Sequence, residues 1–326
     1  MDTQILLVDK AYHLTRIDRF IYQKIRFCSL NQIRRLIKLG GVQILKNKGK
    51  NLPSPNTRAQ LRDLVEQNDQ VWIDFKCFEV RTQEQQKLIN QRMQKIRCLY
   101  STPHWSVFDK PAGIHCLPVY FKDTLHLAYL LGSYCSNYVL SLQEKIPDYG
   151  LIHRLDGGTS GVILVAHSLA AYEQLIKARQ QQQVWRIYWA LIKNRPTSSC
   201  IQINTPIAHH SKRDSLMVAI LNNKTSYRGQ PQQACTQLKT LQTSERHALV
   251  QVSIQGGRRH QIRVHLASLG LPILGDSDYD SQALACFRFA LHARYLNIHC
   301  PLSQTQHCIE SIPQDDFWQL APELKS

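Results

Sequence analysis

The 326-residue sequence contains no apolar run approaching the roughly 20 residues that a membrane-spanning helix needs. Its first residues, Met1 to Gln4, also lack the basic segment followed by an apolar one that marks a secretory signal. Both absences argue against a membrane or secreted protein. We therefore expect a cytoplasmic protein without a membrane partner.

Several enzyme signatures are missing as well. There is no Gly-x-Ser-x-Gly nucleophile elbow, no glycine-rich phosphate loop or Gly-x-Gly-x-x-Gly turn, and no His-x-Glu with Pro-Cys-x-x-Cys. These absences disfavour serine hydrolases, enzymes that bind nucleotides through such loops, and zinc deaminases. Methyl transfer to RNA is excluded less firmly, because the cofactor loops of methyltransferases vary.

The ten cysteines are scattered and include no Cys-x-x-Cys pair. A structural zinc site needs ligands at close, paired spacing, and a disulfide framework is typical of small secreted chains. We therefore expect reduced thiols and no metal centre.

Positive charge is abundant and unevenly distributed. Lysine and arginine number 40 against 24 acidic residues, a net charge of +16, and residues 1–100 hold 19 basic against 9 acidic side chains. Such an excess is common in proteins that bind nucleic acid, although a basic protein without this partner also fits. The distribution favours a phosphate-binding element near the N-terminus.

The sequence around residue 35 predicts a basic amphipathic helix followed by a tight turn and a strand. Leu30, Ile33, Leu36 and Ile37 share helical spacing, Ser29 can cap the start, and Gly40-Gly41 stops the helix before Val42. The helix, turn and strand order is similar to the alpha-L (S-four-like) module of a small-subunit ribosomal protein, which implies RNA binding. The candidate RNA contacts, expected to face solvent, are Arg34, Arg35, Lys38, Lys46 and Lys48.

The most informative segment is His153-Arg154-Leu155-Asp156-Gly157-Gly158-Thr159-Ser160-Gly161. It places one carboxylate, Asp156, two residues after an arginine and at the mouth of a Gly-Gly turn, which a ligand's backbone can approach closely. A nearby positive charge favours the ionised carboxylate. An isolated Arg-x-Asp is usually a polar turn, but here further motifs accompany it.

The segment resembles the signature of the RluA-type pseudouridine synthases, His-Arg-Leu-Asp followed by Thr-Ser-Gly. Other blocks of that family follow in order over roughly residues 101 to 301, which a chance match to one motif does not explain. They are Lys110-Pro111-Ala112-Gly113, Arg186-Ile187-Tyr188-Trp189-Ala190, Gly257 to His265, Pro272 to Asp276, and Leu291-His292-Ala293.

The resemblance implies a chemistry and its residues. By position in the blocks, Asp156 is the essential aspartate, Tyr188 the active-site tyrosine and Arg263 the partner of Asp156. Isomerising uridine to pseudouridine breaks and remakes the bond between base and sugar, so it needs a nucleophile or base beside the sugar, a stacking platform for the base and a cation beside the carboxylate, but no cofactor or metal.

A uridine inside folded RNA must also leave the stack before it can react. Arg154 is the candidate wedge for the emptied place, because a guanidinium can stack on bases and bind phosphate. Arg258 and His260, in the block that carries Arg263, are further candidate RNA contacts, and His153 is expected to shape the turn.

Three residues depart from the family pattern without removing a catalytic group. His167 replaces a common lysine after the strand, Arg186 replaces the lysine before the tyrosine, and Arg259 replaces a threonine before His260. Arg259 changes both size and charge, which puts the local geometry around Arg263 in question.

Consecutive strand-like segments without a helix between every pair predict an α+β fold with a mixed, largely antiparallel sheet. The strands are expected at Val107-Phe108, Val162 to Val165, Val184 to Ile192 and Ala248 to Ile254, and a helix capped by Ser168 is expected to bury Leu169, Tyr172, Leu175 and Ile176. The predicted domains are an alpha-L module (1–76), a connector (77–100) and a catalytic domain (101–326).

The sequence thus predicts an RNA pseudouridine synthase acting on structured RNA, with large-subunit ribosomal RNA as the expected substrate. A synthase acting on transfer RNA and an inactive RNA-binding ribosome-assembly factor remain alternatives. Retention of Asp156, Tyr188 and Arg263 together argues against the inactive protein. A monomer is expected, although the sequence does not determine the oligomeric state.

Overall fold

The structure is a computed structural model that describes residues 3–25, 30–46, 57–74, 87, 90–91, 94–118, 126–131, 146–283 and 288–325. The chain forms two compact units, one mainly of residues up to Asn90 and the other mainly of residues from Gln91 onward. No helix within these described ranges is long and apolar enough to cross a membrane.

The first unit is a small α+β module with its own core. Antiparallel strands lie in the order β1, β6, β3, β4, while β2 pairs with β5 in a separate two-stranded sheet. Its elements are β1 (Thr3–Leu7), a 3-10 turn (Lys10–Tyr12), β2 (Thr15–Arg16), α1 (Ile17–Lys24), α2 (Leu30–Leu39), β3 (Val42–Leu45), β4 (Thr57–Arg58), β5 (Leu64–Val65) and β6 (Gln70–Asp74).

The basic helix, the turn and the strand are present in the predicted order. Ile33, Leu36 and Ile37 are buried as expected, whereas Leu30 is only partly covered. Arg34 was expected to face solvent; its side chain is 35% exposed, and its Nε also donates to Oδ2 of the buried Asp18 at 2.8 Å. A buried carboxylate requires a cationic partner, and Arg34 lies where it can supply one. The predicted cap, Ser29, lies outside the described residues.

The second unit contains one large sheet and one small sheet among its described residues. Its strands are β7 (Arg97–Ser101), β8 (Trp105–Lys110), β9 (Ser160–Ala166), β10 (Val184–Lys193), β11 (Cys200–Ile203), β12 (Ile207–His210), β13 (Met217–Ala219), β14 (Tyr227–Gln232), β15 (Cys235–Thr243), β16 (His247–Gln255), β17 (Leu291–His299) and β18 (Gln306–Glu310). Its α-helices are α3 (Leu127–Leu131), α4 (Leu169–Gln180), α5 (Gln261–Ser268) and α6 (Asp315–Trp318), and 3-10 turns lie at Pro147–Gly150 and Pro322–Leu324.

Nine strands form this sheet in the order β11, β15, β16, β10, β17, β9, β8, β7, with β18 paired to β17. Every pairing is antiparallel except that of β9 with β17. The α+β class with a mixed, largely antiparallel sheet is therefore confirmed. All seven residues of β9 are buried, as expected for an apolar run covered on both faces. Strands β13, β12 and β14 form a separate three-stranded sheet.

The helix α4 was predicted correctly, and its predicted buried face is confirmed at Leu175, while Tyr172 and Ile176 are only partly buried. Ser168 caps it by accepting a hydrogen bond from the Ala171 amide at 3.2 Å. The buried residues are Ala171, Leu175 and Ala178, whereas Leu169 is 42% exposed. Small alanine side chains allow close packing against β9, and they take the place of Leu169 in the buried face, beside Leu175.

The predicted connector ends earlier than residue 100. Strand β7, which begins at Arg97, already pairs with β8 of the large sheet. Arg97 also forms an ion pair with the largely buried Asp109 of β8. Ladder hydrogen bonds and this ion pair place Arg97 to Ser101 in the second unit.

Candidate active site

The signature segment forms a loop that leads into β9 and is anchored from behind by His153. The His153 ring is buried, and its Nε2 accepts a hydrogen bond from the Leu164 amide at 3.2 Å. Burial, together with the nearby charges of Arg186 and Arg179, lowers the pKa of His153 well below its usual value. The residue is therefore neutral and acts as a structural support of the turn.

Lys110 fixes the same loop from the other side. Its Nζ is buried and donates to the carbonyl oxygens of Ile114 (2.6 Å), Pro111 (3.1 Å) and Gly157 (3.3 Å). Burial lowers the pKa of Lys110 to about 8. The Lys-Pro-Ala-Gly block thus ties the residue after Asp156 to the end of β8.

The glycines of the signature turn are explained by close packing. A Cβ at Gly157 would lie 2.8 Å from Cε1 of His115, and one at Gly158 would lie 2.6 Å from Cε1 of Phe289. Any larger side chain would push the loop away from these rings. The expected role of the turn, close approach by a ligand's backbone, is therefore accompanied by a packing role within the protein.

Asp156 lies at a cavity, and the predicted pairing with Arg263 is present. The Asp156 side chain is 27% exposed, and its Oδ2 lies 3.5 Å from Nη1 of Arg263 and 3.9 Å from Nε2 of His260. The cavity is also lined by Tyr188, Arg154 and Arg258. Residues of three separate sequence blocks therefore meet around one carboxylate.

Arg263, on α5, is fixed by two further carboxylates. Its Nε and Nη2 donate to Asp276 at 2.7 and 2.6 Å, and Nη2 also donates to Asp278 at 2.7 Å. Its guanidinium also lies 4.3 Å from the centre of the Phe289 ring. Although burial opposes the charge, these acids raise the pKa of Arg263 above its usual value. The side chain is thus a permanent cation whose Nη1 is directed at Asp156.

Tyr188 is buried in the middle of β10, opposite Val252 of β16 and Ala293 of β17. Burial raises the pKa of its hydroxyl, so the side chain stays protonated at neutral pH. Its ring offers an aromatic wall to the cavity that contains Asp156. An aromatic face at this position suits the retention of a planar base.

His260 was predicted as an RNA contact, but its ring is mostly covered. Its Nδ1 hydrogen-bonds the Tyr279 hydroxyl at 2.9 Å, and only 11% of the side chain is exposed. Burial lowers the pKa of His260 to about 4, so the ring is neutral at pH 7. It therefore belongs to the wall beside Asp156.

Arg259 does not disturb the site that surrounds Arg263. Its guanidinium donates to the carbonyl oxygens of Ser215 (2.9 Å) and Asp214 (3.4 Å), just before β13. Arg259, which stands where the family has threonine, therefore connects the start of α5 to the backbone just before the three-stranded sheet.

The remaining predicted RNA contacts belong to the first unit. Lys38 is exposed, whereas Lys46 donates to Glu66 at 2.9 Å and lies 3.0 Å from Asp69. Lys48 and the side chain of Arg35 lie outside the described residues. The structure adds Asp276 and Lys110 to the residues that build the site. Both stood in the ordered blocks, but only their contacts reveal what they do.

Comparisons with known proteins agree with this geometry. A family model described as RNA pseudouridylate synthase matches residues 104–268. The chain belongs to this family. Its residues Asp156, Tyr188 and Arg263 therefore line the cavity of an RNA pseudouridine synthase of the RluA type, an isomerase.

Two relatives of this synthase match over most of its length. One is the ribosomal large subunit pseudouridine synthase D of Pseudomonas aeruginosa, 30% identical over 80% of each chain. Another is the ribosomal large subunit pseudouridine synthase C of Vibrio parahaemolyticus, 26% identical over 97% of this chain and 91% of the relative. In fold, the synthase resembles human RNA pseudouridylate synthase domain containing 1, with a TM-score of 0.55, 23% identity, and coverage of 71% of this chain and 88% of that one.

Replacing Asp276 with asparagine tests whether it holds Arg263. Asn keeps the shape but cannot neutralise the buried guanidinium, so Nη1 should lose its aim at Asp156. We expect turnover to fall about 100-fold, as for other small displacements of reacting groups, with little change in KM. Single-turnover kinetics measure this, with the surface variant Asp315→Asn as control. A turnover within twofold of the parent would contradict the positioning role.

Proposed function

We propose that this synthase isomerises uridines of large-subunit ribosomal RNA, with Asp156 as the nucleophile and with the target base flipped out of its stack. The observation that carries the proposal is the placement of the partly exposed Asp156 carboxylate beside Nη1 of Arg263, at a cavity walled by Tyr188. The names of the Pseudomonas and Vibrio relatives support the choice of RNA.

The proposed chemistry needs only groups present in the cavity. The bond between N1 of the base and C1′ of the ribose breaks, the base turns, and C5 becomes bonded to C1′ while the proton of C5 is lost and N1 is protonated. Asp156 attacks C1′ and displaces N1, and the bond between Asp156 and C1′ is broken when C5 takes its place at C1′. Arg263 lies beside this carboxylate as a fixed cation in a site partly withdrawn from water. Tyr188 retains the detached base against its ring.

Asp156→Asn should abolish the isomerisation while leaving RNA binding nearly unchanged, because the amide keeps the shape of the side chain but is not a nucleophile. Release of tritium from 5-labelled uridine measures activity, and filter retention measures binding. The exposed Asp214 gives a control, Asp214→Asn, with the same chemical change. Activity within tenfold of the parent would overturn the nucleophile assignment.

The identity of the RNA is decided in cells. Chemical mapping of pseudouridine in total RNA, with and without the gene, should show sites lost from large-subunit ribosomal RNA. Restoration of these sites by the parent gene, but not by Asp156→Asn, would link them to this cavity. If pseudouridines were lost only from transfer RNA, transfer RNA would be the substrate in place of ribosomal RNA. If no pseudouridine were lost, the inactive assembly factor would be favoured.

Arg154 is proposed to prop the stack from which the uridine leaves. Its side chain is exposed and lines the same cavity as Asp156. Arg154→Ala should therefore slow turnover on a stem-loop more than on an unstructured oligomer of the same local sequence, because only the former must be unstacked. Single-turnover rates on both RNAs measure the difference, with Arg246→Ala as control. An equal loss on the two RNAs would eliminate the wedge role.

The first unit is proposed to bind the RNA backbone as an alpha-L module, supported by its charge excess and by the exposed Lys38 on α2. Lys38→Gln should weaken binding to all structured RNAs alike and reduce the slope of log affinity against log salt by about 1, since one phosphate contact is lost. Lys325→Gln, at an exposed C-terminal lysine, is the matched control. Identical salt slopes for the two variants would contradict a phosphate contact at Lys38.

A further inference from the structure

A second concavity opens where two strands of the large sheet separate. The pairing of β10 with β16 ends at Ile187 and Ser253, although β10 continues along β17 as far as Val184, and β16 continues along β15 as far as Gln255. A fork therefore forms between the two strands. It is a groove of about 710 Å³, closed on one side by the end of α4.

The groove carries an excess of positive charge, although Nη1 of Arg179 donates to the carbonyl oxygen of Ile152 and the carboxylate of Asp148 acts on Arg179 from outside the groove. Arg179, Arg186 and Arg258 line it, and within the part of the chain that the structure describes none of the three forms an ion pair and no carboxylate lines the groove. Burial and the adjacent Arg186 lower the pKa of Arg179, as expected for neighbouring cations. Such a cluster is more stable when an anion lies between its members.

An aromatic side chain stands among these cations. Trp185 of β10 lines the groove and is 39% exposed, whereas most indole rings in folded proteins are well covered. Four glutamines, Gln180, Gln182, Gln237 and Gln255, add amides that can donate and accept hydrogen bonds. A planar apolar ring, cations and amides together match a nucleotide, with its flat base, its phosphate and its polar edges.

The groove is continuous with the catalytic cavity. Arg186, Ile254, Gly257 and Arg258 line both. The guanidinium of Arg186 lies close to Gly257, since a Cβ at Gly257 would be 3.1 Å from Nη2 of Arg186. The same guanidinium lies 5.9 Å from the centre of the Tyr188 ring. An RNA strand with its target uridine at Asp156 therefore meets this groove with a neighbouring nucleotide.

We propose that the β10–β16 fork is a binding subsite for an unpaired nucleotide next to the target uridine, whose base stacks on Trp185 and whose phosphates contact Arg179, Arg186 and Arg258. The subsite rests on the proposed function, because it needs an RNA strand in the catalytic cavity. It holds the flanking nucleotide outside the duplex and so favours uridines in loops or bulges over uridines within paired stems.

Two probes with the same phosphates separate stacking from charge. One is a fluorescent nonauridylate, and the other is a nonamer of abasic ribose phosphates. Trp185→Ala should weaken binding of the nonauridylate about tenfold, in the range of base stacking on aromatic side chains, and binding of the abasic nonamer less than twofold. Trp185→Phe should restore most of the affinity, and Tyr227→Ala, at another exposed aromatic residue, should change neither probe.

The charge is tested with the same probes. Arg179→Gln should weaken both nonamers alike and lower the salt slope by about 1, while Arg195→Gln, outside the groove, should not. An equal effect of Trp185→Ala on the two nonamers would overturn the stacking subsite. So would competition by a decaglutamate peptide as strong as that by the nonauridylate, since it would mark an unselective anion surface. Either result leaves the tritium-release test of the proposed function untouched.

Discussion

The active site depends on the buried ion pair between Arg263 and Asp276. Two parallel hydrogen bonds of 2.6 and 2.7 Å hold the guanidinium in one orientation and leave Nη1 facing Asp156. A bidentate pair of this kind fixes direction as well as distance. An arginine held only by Asp156 would compete with the substrate for that carboxylate, whereas here other acids satisfy most of its donors.

The loop that carries Asp156 is held by buried polar contacts on several sides. Lys110 binds three carbonyl oxygens, including that of Gly157, and His153 accepts the amide hydrogen of Leu164. Phe289 covers both Gly158 and the guanidinium of Arg263. The loop that carries Asp156 and the guanidinium of Arg263 therefore pack against the same ring, so a displacement of one would displace the other. This arrangement keeps the carboxylate partly exposed without leaving it free to move.

The large sheet holds Tyr188 in a rigid setting and also opens a groove between two of its strands. Strands β10 and β17 are paired on both sides through the region of Tyr188, which holds the aromatic wall in place. Directly before Tyr188, at Ile187, the pairing of β10 with β16 ends, and the groove between the two strands is lined by arginine, glutamine and the exposed Trp185. Catalytic and proposed RNA-holding groups can therefore lie side by side, because one strand contributes to both.

The sequence by itself determined the family and the fold class, and it predicted which residues meet at the cavity. Ordered blocks predicted Asp156, Tyr188 and Arg263 as the catalytic residues, and the structure places all three at one cavity. Apolar alternation and runs located the main strands, because burial on one or both faces leaves a local pattern. These features depend on short segments of sequence, so they can be predicted without knowing which distant residues are in contact.

Only the tertiary structure decided how those residues are held. Asp276 as the clamp of Arg263, the ion pair of Arg34 with Asp18, and the burial of Ala171 in place of Leu169 all depend on partners far along the chain or on close packing. The groove at Trp185 likewise exists because two strands separate at particular residues. A carboxylate or an indole looks the same in a sequence whether it is buried, paired or exposed, and folding alone assigns its neighbours.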